Sequence, residues 1–507
     1  MLLVAIPKVI GIETELGIMV RGTNEWNPVS ASSLLINAYV GAEPGALDER
    51  SRPVAWDFID ESPSADARDY LPPEFAMPPE VETHLVNAVL TNGARYYVDH
   101  AHPEISTPEC RDALSAVVFD RAAELIAVDS MALANDVLPD GQEIVLYKDN
   151  SDRKGNAYGC HENFLLDRAV PFGQIVTAAT GHFVTRQIYT GSGKVGSELP
   201  GIGSDEIPYQ LTQRAEHFEE EVGLETTLKR PIVNTRDEPH ADSQRYRRLH
   251  VIVGDANMSQ VATFMKVGTT SVLFAMLEDD AFERMHPLAE PVAAMHQVSH
   301  DLTLARPLRL ADHTTATALE LQVDFLSQAR VWADRFGFEA VGGDEVGAMI
   351  LDRWADILAG LESDPDSVAP QVDWLAKKRL LDGFRERHDC EWGDPRLRAL
   401  DLQYHDLRPT KSLAARAGLE TIVDEAAAVV AKHDPPLDTR AYFRGRCLQK
   451  FADNVVAANW DSIVFDVGDE PLRRVPMLEP CRGTVEHVGT LLDESATVSE
   501  LLEKLGA

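Results

Sequence analysis

Clustered and alternating apolar positions predict several β-strands in the first half of the chain. Residues 9–18 (VIGIETELGI) form an apolar run that carries two acids, which predicts a buried strand. The segments ARYYVDHAH (94–102) and EIVLYKD (143–149) predict two more. In YRRLHVIVGD (246–255), apolar side chains alternate through 249–253 and predict a further strand.

Elsewhere the apolar residues recur with helical spacing. The segments with this pattern are 81–90, 111–137, 209–221, 269–283, 315–336 and 367–388. Residues 40–80 are rich in Pro, Gly, Asp and Glu, which predicts a long polar loop inserted into the domain. The helical pattern breaks near DPP (434–436). We therefore expect one large domain over 1–432, with the 40–80 insertion, and a small C-terminal α/β domain over 433–507.

The charge of the 507-residue chain limits its possible partners. Its 47 Lys and Arg residues and 82 Asp and Glu residues give a formal net charge of −35. Because nucleic acids and anionic membranes attract basic surfaces, we expect neither as a partner. The excess of like charge favours a monomer and leaves carboxylates available to hold metal ions.

The cysteines and the N-terminus indicate the compartment. The five cysteines are widely spaced and include no C-x-x-C pair, which is typical of a reduced cytosolic protein. The N-terminal apolar run has no basic region and is interrupted by Lys8, so we expect no signal peptide. No stretch of 18 consecutive apolar residues predicts a membrane span. We therefore expect a cytoplasmic protein.

Glu13 and Glu15 are two residues apart on the first predicted strand, so their side chains share a face. Their apolar neighbours indicate a core strand, where two ionised carboxylates are costly unless a cation neutralises them. Paired hard oxygen ligands suit Mg²⁺. The alternative is an edge strand with a solvated polar face.

A second group lies in NGARYYVDHAHPEISTPEC (92–110). Arg95, Tyr97 and Asp99 alternate and therefore share a face of the strand. Arg95 suits contacts to phosphate, while Tyr97 and Glu104 supply oxygen atoms. Asp99 is a candidate base or carboxylate nucleophile. Alternatively, Tyr97 is half-buried packing and Asp99 is a turn acid.

Further candidates lie on later strands. In NAYGCHENFLL (156–166), His161 and Asn163 alternate, although a lone histidine at such a place is more often a core residue. Basic residues between 213 and 259 include Arg214, Arg236, His240 and His250. Basic side chains beside acids that hold Mg²⁺ are what phosphoryl chemistry on ATP needs. Because GSGK at 191–194 lacks the Walker A spacing, any nucleotide site uses carboxylates on a sheet to hold the metals.

Several of these segments together resemble one family. GIETELGI, NGARYYVDHAHPE, YGCHEN, TQRAEH, NTRDEPHAD and RRLHVIVGDANMS resemble the Pup ligases and Pup deamidase/depupylases, relatives of glutamine synthetase and carboxylate–amine ligases. The resemblance covers about residues 9–505. It implies an α+β fold with a large glutamine-synthetase-like domain, whose mainly antiparallel, curved sheet carries the active site against packed helices. A small C-terminal α/β domain completes this fold.

The family has two branches. One ligates the C-terminal glutamate of the prokaryotic ubiquitin-like protein Pup to lysines, and the other deamidates Pup's C-terminal glutamine and hydrolyses the same isopeptide bond. The 40–80 insertion and the short VDHAHPE sequence (98–104) resemble the deamidase/depupylase branch. We therefore expect this nucleotide- and magnesium-dependent hydrolase; the alternative is an ATP-consuming Pup–protein ligase. A free amino-acid ligase and a non-enzymatic Pup-binding adaptor are more distant alternatives.

The resemblance implies a role for each matching residue. Asp99 would be the catalytic carboxylate, which attacks directly or activates water. The Mg²⁺ ligands would be Glu13, Glu15, Tyr97, Glu104, His161 and His250, with His240 as the alternative to His250. The contacts to ATP, or to ADP with phosphate, would be Arg95, Thr107, Asn163, Arg214, Arg236 and Trp460. Arg214 and Arg236 would bind phosphate or the reacting carbonyl, and for Trp460 the alternative is a core tryptophan. The nucleotide would act as a cofactor, because amide hydrolysis needs no ATP.

The resemblance also implies Pup and pupylated proteins as partners. Because Pup is acidic like this chain, binding would need local basic ground with apolar anchors. The candidate patches are Lys377, Lys378, Arg379, Arg385 and Arg387, or Arg440, Arg444 and Arg446; for both, the alternative is a solvated helix face. The first eight residues extend beyond the usual family start, and we expect them to carry no function.

Overall fold

The computed structural model describes residues 5–42, 54–59, 61–68, 85–202, 206–468 and 471–506. Their strands are β1 Ile10–Glu15, β2 Gly17–Arg21, β3 Ala55–Trp56, β4 Asn87–Val89, β5 Arg95–Asp99, β6 His102–Ser106, β7 Glu143–Tyr147, β8 Cys160–Asp167, β9 Lys194–Val195, β10 Tyr209–Gln210, β11 Phe218–Gly223, β12 Arg230–Asn234, β13 Tyr246–Val251, β14 Leu308–Arg309, β15 Thr315–Ala316, β16 Val455–Ala458, β17 Ser462–Phe465 and β18 Arg473–Pro476.

The α-helices in the same part of the chain are α1 Pro28–Ala42, α2 Ala113–Asn135, α3 Phe172–Thr185, α4 Gln187–Thr190, α5 Gln260–Glu278, α6 Pro291–Ser299, α7 Ala318–Phe336, α8 Gly343–Ser363, α9 Asp373–His388, α10 Pro395–Tyr404, α11 Glu425–Ala431, α12 Ala441–Lys450, α13 Val485–Glu494 and α14 Val498–Leu505. Short 3₁₀ turns lie at Ala215–His217, Glu339–Val341, Pro365–Val368 and Ala414–Arg416.

A ten-stranded sheet organises the fold, in the order β13-β8-β1-β6-β5-β4-β3-β16-β17-β18. Every neighbouring pair is antiparallel except β3 with β16, which is parallel. The predicted α+β class with a mainly antiparallel sheet is confirmed.

The two faces of this sheet differ because side chains alternate along each strand. On β1, Ile10 and Ile12 point into the largest apolar cluster, so Glu13 and Glu15 occupy the opposite face. On β5, Tyr96 belongs to a second apolar cluster, so Arg95, Tyr97 and Asp99 lie on the polar face. The same alternation applies to β6, β8 and β13. One face of the sheet therefore collects the polar side chains of five adjacent strands.

Helices cover the apolar face. The helix α2 packs against α1, α5 and α11, and α5 also packs against α8. Among the described residues, α5 is the one helix long and apolar enough to cross a membrane, but 94% of that stretch is buried inside the protein. It is therefore a core helix.

Several predicted elements are confirmed and others differ. The strand predictions at 94–102, 143–149 and 246–255 are confirmed by β5, β7 and β13, while 9–18 splits into β1 and β2. The helix predictions at 111–137, 315–336 and 367–388 are confirmed by α2, α7 and α9. The helix predicted at 269–283 begins earlier and ends at Glu278, because Ser259 caps its first turn.

Two helix predictions are wrong for a physical reason. Residues 209–221 form β10, a 3₁₀ turn and β11. The backbone of β11 pairs with β12, and its consecutive exposed glutamates leave no continuous apolar face for a helix to bury. At 81–90, the described part contains β4, whose pairing with β5 outweighs its helical spacing. Residues 81–84 lie outside the described residues.

The 40–80 segment is partly structured. Residues 40–42 end α1, and β3 lies inside the predicted loop, where it joins β4 to β16. Residues 43–53, 60 and 69–80 lie outside the described residues. Through β3, the sheet continues into β16–β18, which pack with α12–α14 around their own apolar cluster. The division of the chain at 432/433 stays a prediction.

The described residues at the N-terminus are anchored to the core. Lys8 is fully buried and its ammonium lies 2.5 Å from the Glu278 carboxylate. The backbone N–H groups of Ala5 and Ile6 donate to Asp279 and Glu278 at 2.7 and 2.9 Å. Residues 5–8 therefore belong to the fold.

Candidate active site

Three carboxylates meet on the polar face where β1, β6 and β5 lie side by side. The antiparallel register places Glu104 opposite Glu15 on one side and opposite Tyr97 on the other. One oxygen atom from each of Glu15, Asp99 and Glu104 lies within 4.8 Å of the other two. We call these three residues the carboxylate group.

The electrostatics of the carboxylate group favour a bound cation. Burial, followed by repulsion from Asp99 and Glu15, raises the pKa of Glu104 well above its ordinary value. Burial and the charge of Glu104 also raise the pKa of Tyr97. A divalent ion would relieve this repulsion, and carboxylate oxygens are the ligands that Mg²⁺ prefers. The donor set therefore fits magnesium.

A second donor group consists of Glu13, His161 and His250, on β1, β8 and β13. One potential ligand atom from each lies within 4.8 Å of the other two, and His161 Nδ1 is 3.4 Å from Glu13 Oε2. Burial lowers the pKa of His250 well below its ordinary value, so its imidazole is neutral, as metal binding requires. The structure places His250 in this group, whereas His240 lies in a neighbouring cleft.

Asn163 links the members of this second group. Its Nδ2 donates to Glu13 Oε1 at 2.8 Å, while its Oδ1 lies 3.0 Å from His250 Nδ1. Arg248 also donates to Asn163 Oδ1, at 2.7 Å. When His250 donates from Nδ1, its Nε2 lone pair is free for a metal. Sequence reasoning missed Arg248, although it lies two residues before His250 on the same face of β13.

Asp99 ends β5 beside a large cavity. Its side chain is 37% exposed, and Oδ2 lies 2.9 Å from His100 Nδ1. The cavity measures about 900 Å³ and is lined by Asp99, Glu15 and His161 among others. Asp99 is thus a carboxylate that is both next to the candidate metal position and accessible to a substrate of side-chain size.

His102 and Tyr158 support Glu15 and were missed by the sequence analysis. His102 Nδ1 lies 3.3 Å from Glu15 Oε2, and its ring stacks at 4.4 Å on that of Tyr158. Burial opposes ionisation of Glu15, but the hydrogen bond with His102, the nearby His161 and the Gly159 N–H together outweigh it, so the pKa of Glu15 falls below its ordinary value. The two histidines of HAH (100–102) lie directly before Glu104, and this spacing could have indicated a histidine beside the carboxylates.

A smaller cleft lies on the other side of the second donor group. Thr107, Asn163 and Trp460 line it together with Glu13 and strand β1. Thr107 Oγ1 accepts a hydrogen bond from the Ile12 N–H at 3.0 Å, which fixes the cleft wall. Three of the six residues predicted to contact the nucleotide thus meet in one place, separate from the large cavity.

The three predicted phosphate-binding arginines lie in different places. Arg95 packs against Tyr97, with its guanidinium carbon 3.9 Å from the ring centroid. Arg214 lines the large cavity, and burial lowers its pKa to about 10, which keeps it cationic at neutral pH. Arg236 follows β12, forms a β-bridge with Asp66, and its buried Nε finds no partner among the described residues.

The predicted basic patches are only partly exposed, because Arg379 and Arg387 are exposed while three other members are buried. Lys377 is buried and paired with Asp401 at 2.7 Å. Arg440 and Arg444 are buried against Glu109, at 2.7 and 2.5 Å. These cations neutralise buried acids, so they offer no basic ground for an acidic partner, and the alternative of a solvated helix face is wrong for them as well.

Comparison with known proteins adds independent information. The family described as Pup-ligase protein matches residues 8–464. The depupylase of Acidothermus cellulolyticus is 49% identical over 508 residues, covering 98% of this chain and 99% of that protein. The Pup deamidase/depupylase of Mycobacterium tuberculosis is 44% identical over 514 residues, covering 99% of each.

Two solved structures are similar in fold. The complex between Pup and its ligase PafA matches with a TM-score of 0.79 and 29% identity, covering 98% of this chain and 94% of PafA. PafA with ADP matches with a TM-score of 0.71 and 34% identity, covering 80% and 89%. The ligase structures are thus less similar in sequence than the two depupylases.

Proposed function

This chain belongs to the Pup-ligase protein family, and from that premise we propose that it is the hydrolase of the family. It converts the C-terminal glutamine of Pup to glutamate and cleaves the isopeptide bond between Pup and substrate lysines. Identity of 49% and 44% over nearly the full chain to proteins named depupylase and Pup deamidase/depupylase supports this choice. The observation that carries the mechanism is the position of Asp99 next to Glu15 and Glu104 and on the wall of the large cavity.

The cavity provides the place for the reacting amide. A side-chain amide or isopeptide that enters it lies beside Asp99, with Arg214 on the cavity wall. Asp99 either attacks the amide carbon or removes a proton from the attacking water. In the first route the C–N bond breaks, ammonia or the lysine amine leaves with a proton, and water then hydrolyses the acyl-enzyme anhydride. In the second route water adds directly and the same amine leaves. Arg214, held by the backbone carbonyl groups of Ile252 and Gly254, orients the carbonyl or a neighbouring carboxylate by charge.

We propose that Glu15, Glu104 and Tyr97, next to Asp99, would hold Mg²⁺ together with the second donor group. When bound there, Mg²⁺ would supply positive charge for the amide carbonyl and for the negative charge that develops on its oxygen. The protein holds Glu15 through His102 and Glu13 through Asn163, so that the ligand oxygens are fixed before the cation arrives.

The smaller cleft is the proposed nucleotide site. Trp460, Thr107 and Asn163 line this cleft and would hold the nucleotide, while Arg95 and Arg236 would contact its phosphate groups. The solved structure of PafA in complex with ADP supports nucleotide binding, and we propose ATP, or ADP with phosphate, as the cofactor. Because amide hydrolysis is downhill without ATP, the nucleotide acts here as a cofactor.

Pup and pupylated proteins are the proposed partners, as in the complex of PafA with Pup. We place the protein in the cytoplasm, where the five cysteines remain free thiols. The alternative function is a Pup–protein ligase that consumes ATP. It is less well supported, because the chain is less similar in sequence to the PafA structures than to the two depupylases.

The test replaces Asp99 with Asn and follows cleavage of a purified Pup conjugate. We expect turnover to fall by about 10³-fold or more, because an asparagine side chain neither attacks a carbonyl carbon nor accepts a proton efficiently. ADP affinity, measured by calorimetry on the same variant, should remain unchanged, since Asp99 faces the cavity and not the cleft. Wild-type turnover by Asp99→Asn would contradict the assignment.

A further inference from the structure

Arg95 is held between two aromatic rings. Its guanidinium carbon lies 4.0 Å from the ring centroid of Trp56 and 3.9 Å from that of Tyr97. Its Nε donates to Asn87 Oδ1 at 3.0 Å. Among the described residues, its two terminal nitrogens donate no hydrogen bond. The side chain is therefore fixed in orientation while its strongest donors remain available for a ligand.

Trp56 is itself fixed from two sides. Its side chain is buried, and its indole Nε1 donates to Glu61 Oε1 at 2.6 Å. Its ring meets the edge of Trp460 with centroids 5.2 Å apart. Trp56 therefore connects Trp460, which lines the smaller cleft, with Arg95.

This tryptophan belongs to the 40–80 insertion, and the rest of the described insertion is docked beside it. The Ala67 N–H donates to the carbonyl oxygen of Thr235, and the Asp237 N–H donates to that of Ala65, at 2.8 and 2.9 Å. The insertion thus spans from β4, next to the strand of Arg95, to the segment that carries Arg236.

We infer that Trp56 is a positioning residue that holds Arg95 in the orientation required to bind the phosphate groups of the nucleotide. The inference rests on the proposed function, in which Arg95 contacts phosphate. A guanidinium fixed between two rings gives up less rotamer freedom when an anion binds, and each ring face attracts the cation. Arginine is suited to this role because its planar group stacks and still forms two parallel hydrogen bonds.

The competing explanation is packing alone, because Trp56 also belongs to the apolar cluster of β16–β18 and α12–α14. Two substitutions separate the explanations. Trp56→Phe keeps an aromatic face over Arg95, whereas Trp56→Leu keeps an apolar side chain without such a face. Both leave some unfilled volume, so both should lower the unfolding midpoint of the nucleotide-free protein to a similar degree.

The experiment measures ADP affinity of the full chain by calorimetry in the absence of Pup. We expect Trp56→Leu to weaken ADP binding by roughly three- to tenfold and Trp56→Phe to bind nearly as the wild type does. Ile59→Ala, at a position 60% exposed in the same segment, is the control and should bind as the wild type does. Equal affinities for the Phe and Leu variants would overturn the inference.

A double-mutant cycle with Arg95 completes the test. In an Arg95→Ala background, Trp56→Leu should weaken ADP binding no further, because the residue on which it acts is gone. The same loss in both backgrounds would assign Trp56 to packing and overturn the inference. If Arg95→Ala alone left ADP affinity unchanged, the proposed phosphate role of Arg95 would fail, and the inference with it. Failure of the inference alone would instead appear as a loss on Arg95→Ala together with an equal loss on Trp56→Leu in both backgrounds.

Discussion

Asn163 uses both ends of its side-chain amide, and this shows how the site is organised at the scale of single residues. The NH₂ group holds Glu13, while the carbonyl oxygen accepts from Arg248 and faces His250. With these contacts satisfied, one N–H remains for a nucleotide. Asn163 is thus placed to orient two metal ligands as well as to contact a cofactor.

Replacing Asn163 with Leu tests this orienting role. The isosteric apolar side chain leaves Glu13 and His250 without their partner, and we expect divalent-metal affinity to fall by about 10- to 100-fold. The measurement is calorimetric titration of the nucleotide-free protein with Mn²⁺ as the probe. Asn156→Leu, on the exposed loop before β8, serves as the control. Unchanged Mn²⁺ affinity in Asn163→Leu would contradict the role.

At the scale of elements, strands carry the site, and this decides how much could be predicted from sequence. Spacing of two residues correctly predicted that Glu13 and Glu15 share a face, as do Arg95, Tyr97 and Asp99. The meeting of Glu15 with Glu104 depends on the register between β1 and β6. Register arises from long-range pairing, which one sequence does not reveal.

The resemblance to a family supplied residues that spacing alone could not. Thr107 and Trp460 are more than 350 positions apart in the chain, and nothing in their local sequence links them. The structure brings both to one cleft through the sheet. By contrast, Trp56 and Arg248 were overlooked, because one lay in a segment predicted as a loop and the other beside a more prominent histidine. The basic-patch prediction is wrong for Lys377, Arg440 and Arg444, because their partner acids Asp401 and Glu109 are not neighbours in the sequence.

Gly159 tests the packing between β8 and β1 directly. A Cβ at this position would lie 2.8 Å from Glu15 Oε1 and would also collide with the ring of His161. We therefore expect Gly159→Ala to displace one member of each donor group and to reduce Mn²⁺ affinity and conjugate cleavage at least tenfold.

The control is Gly173→Ala in α3, where an added Cβ meets no atom within 4 Å. Alanine is favoured over glycine in a helix by about 0.5–1 kcal/mol, so this variant should unfold at a slightly higher temperature and cleave normally. If Gly159→Ala behaved like Gly173→Ala, the close approach of β8 to the donor groups would be wrong.

At the scale of the whole molecule, Glu109 joins the C-terminal region to the central sheet. It follows β6 and accepts hydrogen bonds from Arg440 and Arg444, at 2.7 and 2.5 Å. Arg444 in turn donates to the carbonyl oxygen of Trp460 at 3.1 Å. Burial opposes ionisation of Glu109, but Arg444 and Arg440 outweigh it and lower the pKa of this carboxyl to about 2.

The lowered pKa predicts a pH dependence of stability. Because the folded-state pKa lies below the ordinary value of 4.5, the contribution is complete above pH 4.5 and is lost as the pH falls towards about 2. The shift corresponds to about 3 kcal/mol in the free energy of unfolding. Urea unfolding between pH 7 and pH 3 should therefore show a weaker pH dependence for Glu109→Gln than for the wild type.

At pH 7, Glu109→Gln should also be destabilised by about 3–5 kcal/mol, because two buried guanidinium groups lose their counter-charge. Glu391→Gln is the matched control, since the Glu391 side chain is 96% exposed. Equal stability of Glu109→Gln and Glu391→Gln at pH 7 would show that this cluster does not hold the C-terminal region to the sheet.

The proposed hydrolase cleaves amides of Pup without consuming nucleotide. Mass spectrometry of Pup ending in glutamine, incubated with the protein, Mg²⁺ and ATP, tests it while nucleotide is quantified in the same samples. The account predicts conversion of the terminal amide to a carboxylic acid, dependence on Asp99, and far less ATP loss than product formed. An unchanged terminal glutamine, together with ATP-driven attachment of Pup ending in glutamate to a lysine, would contradict it and establish the ligase.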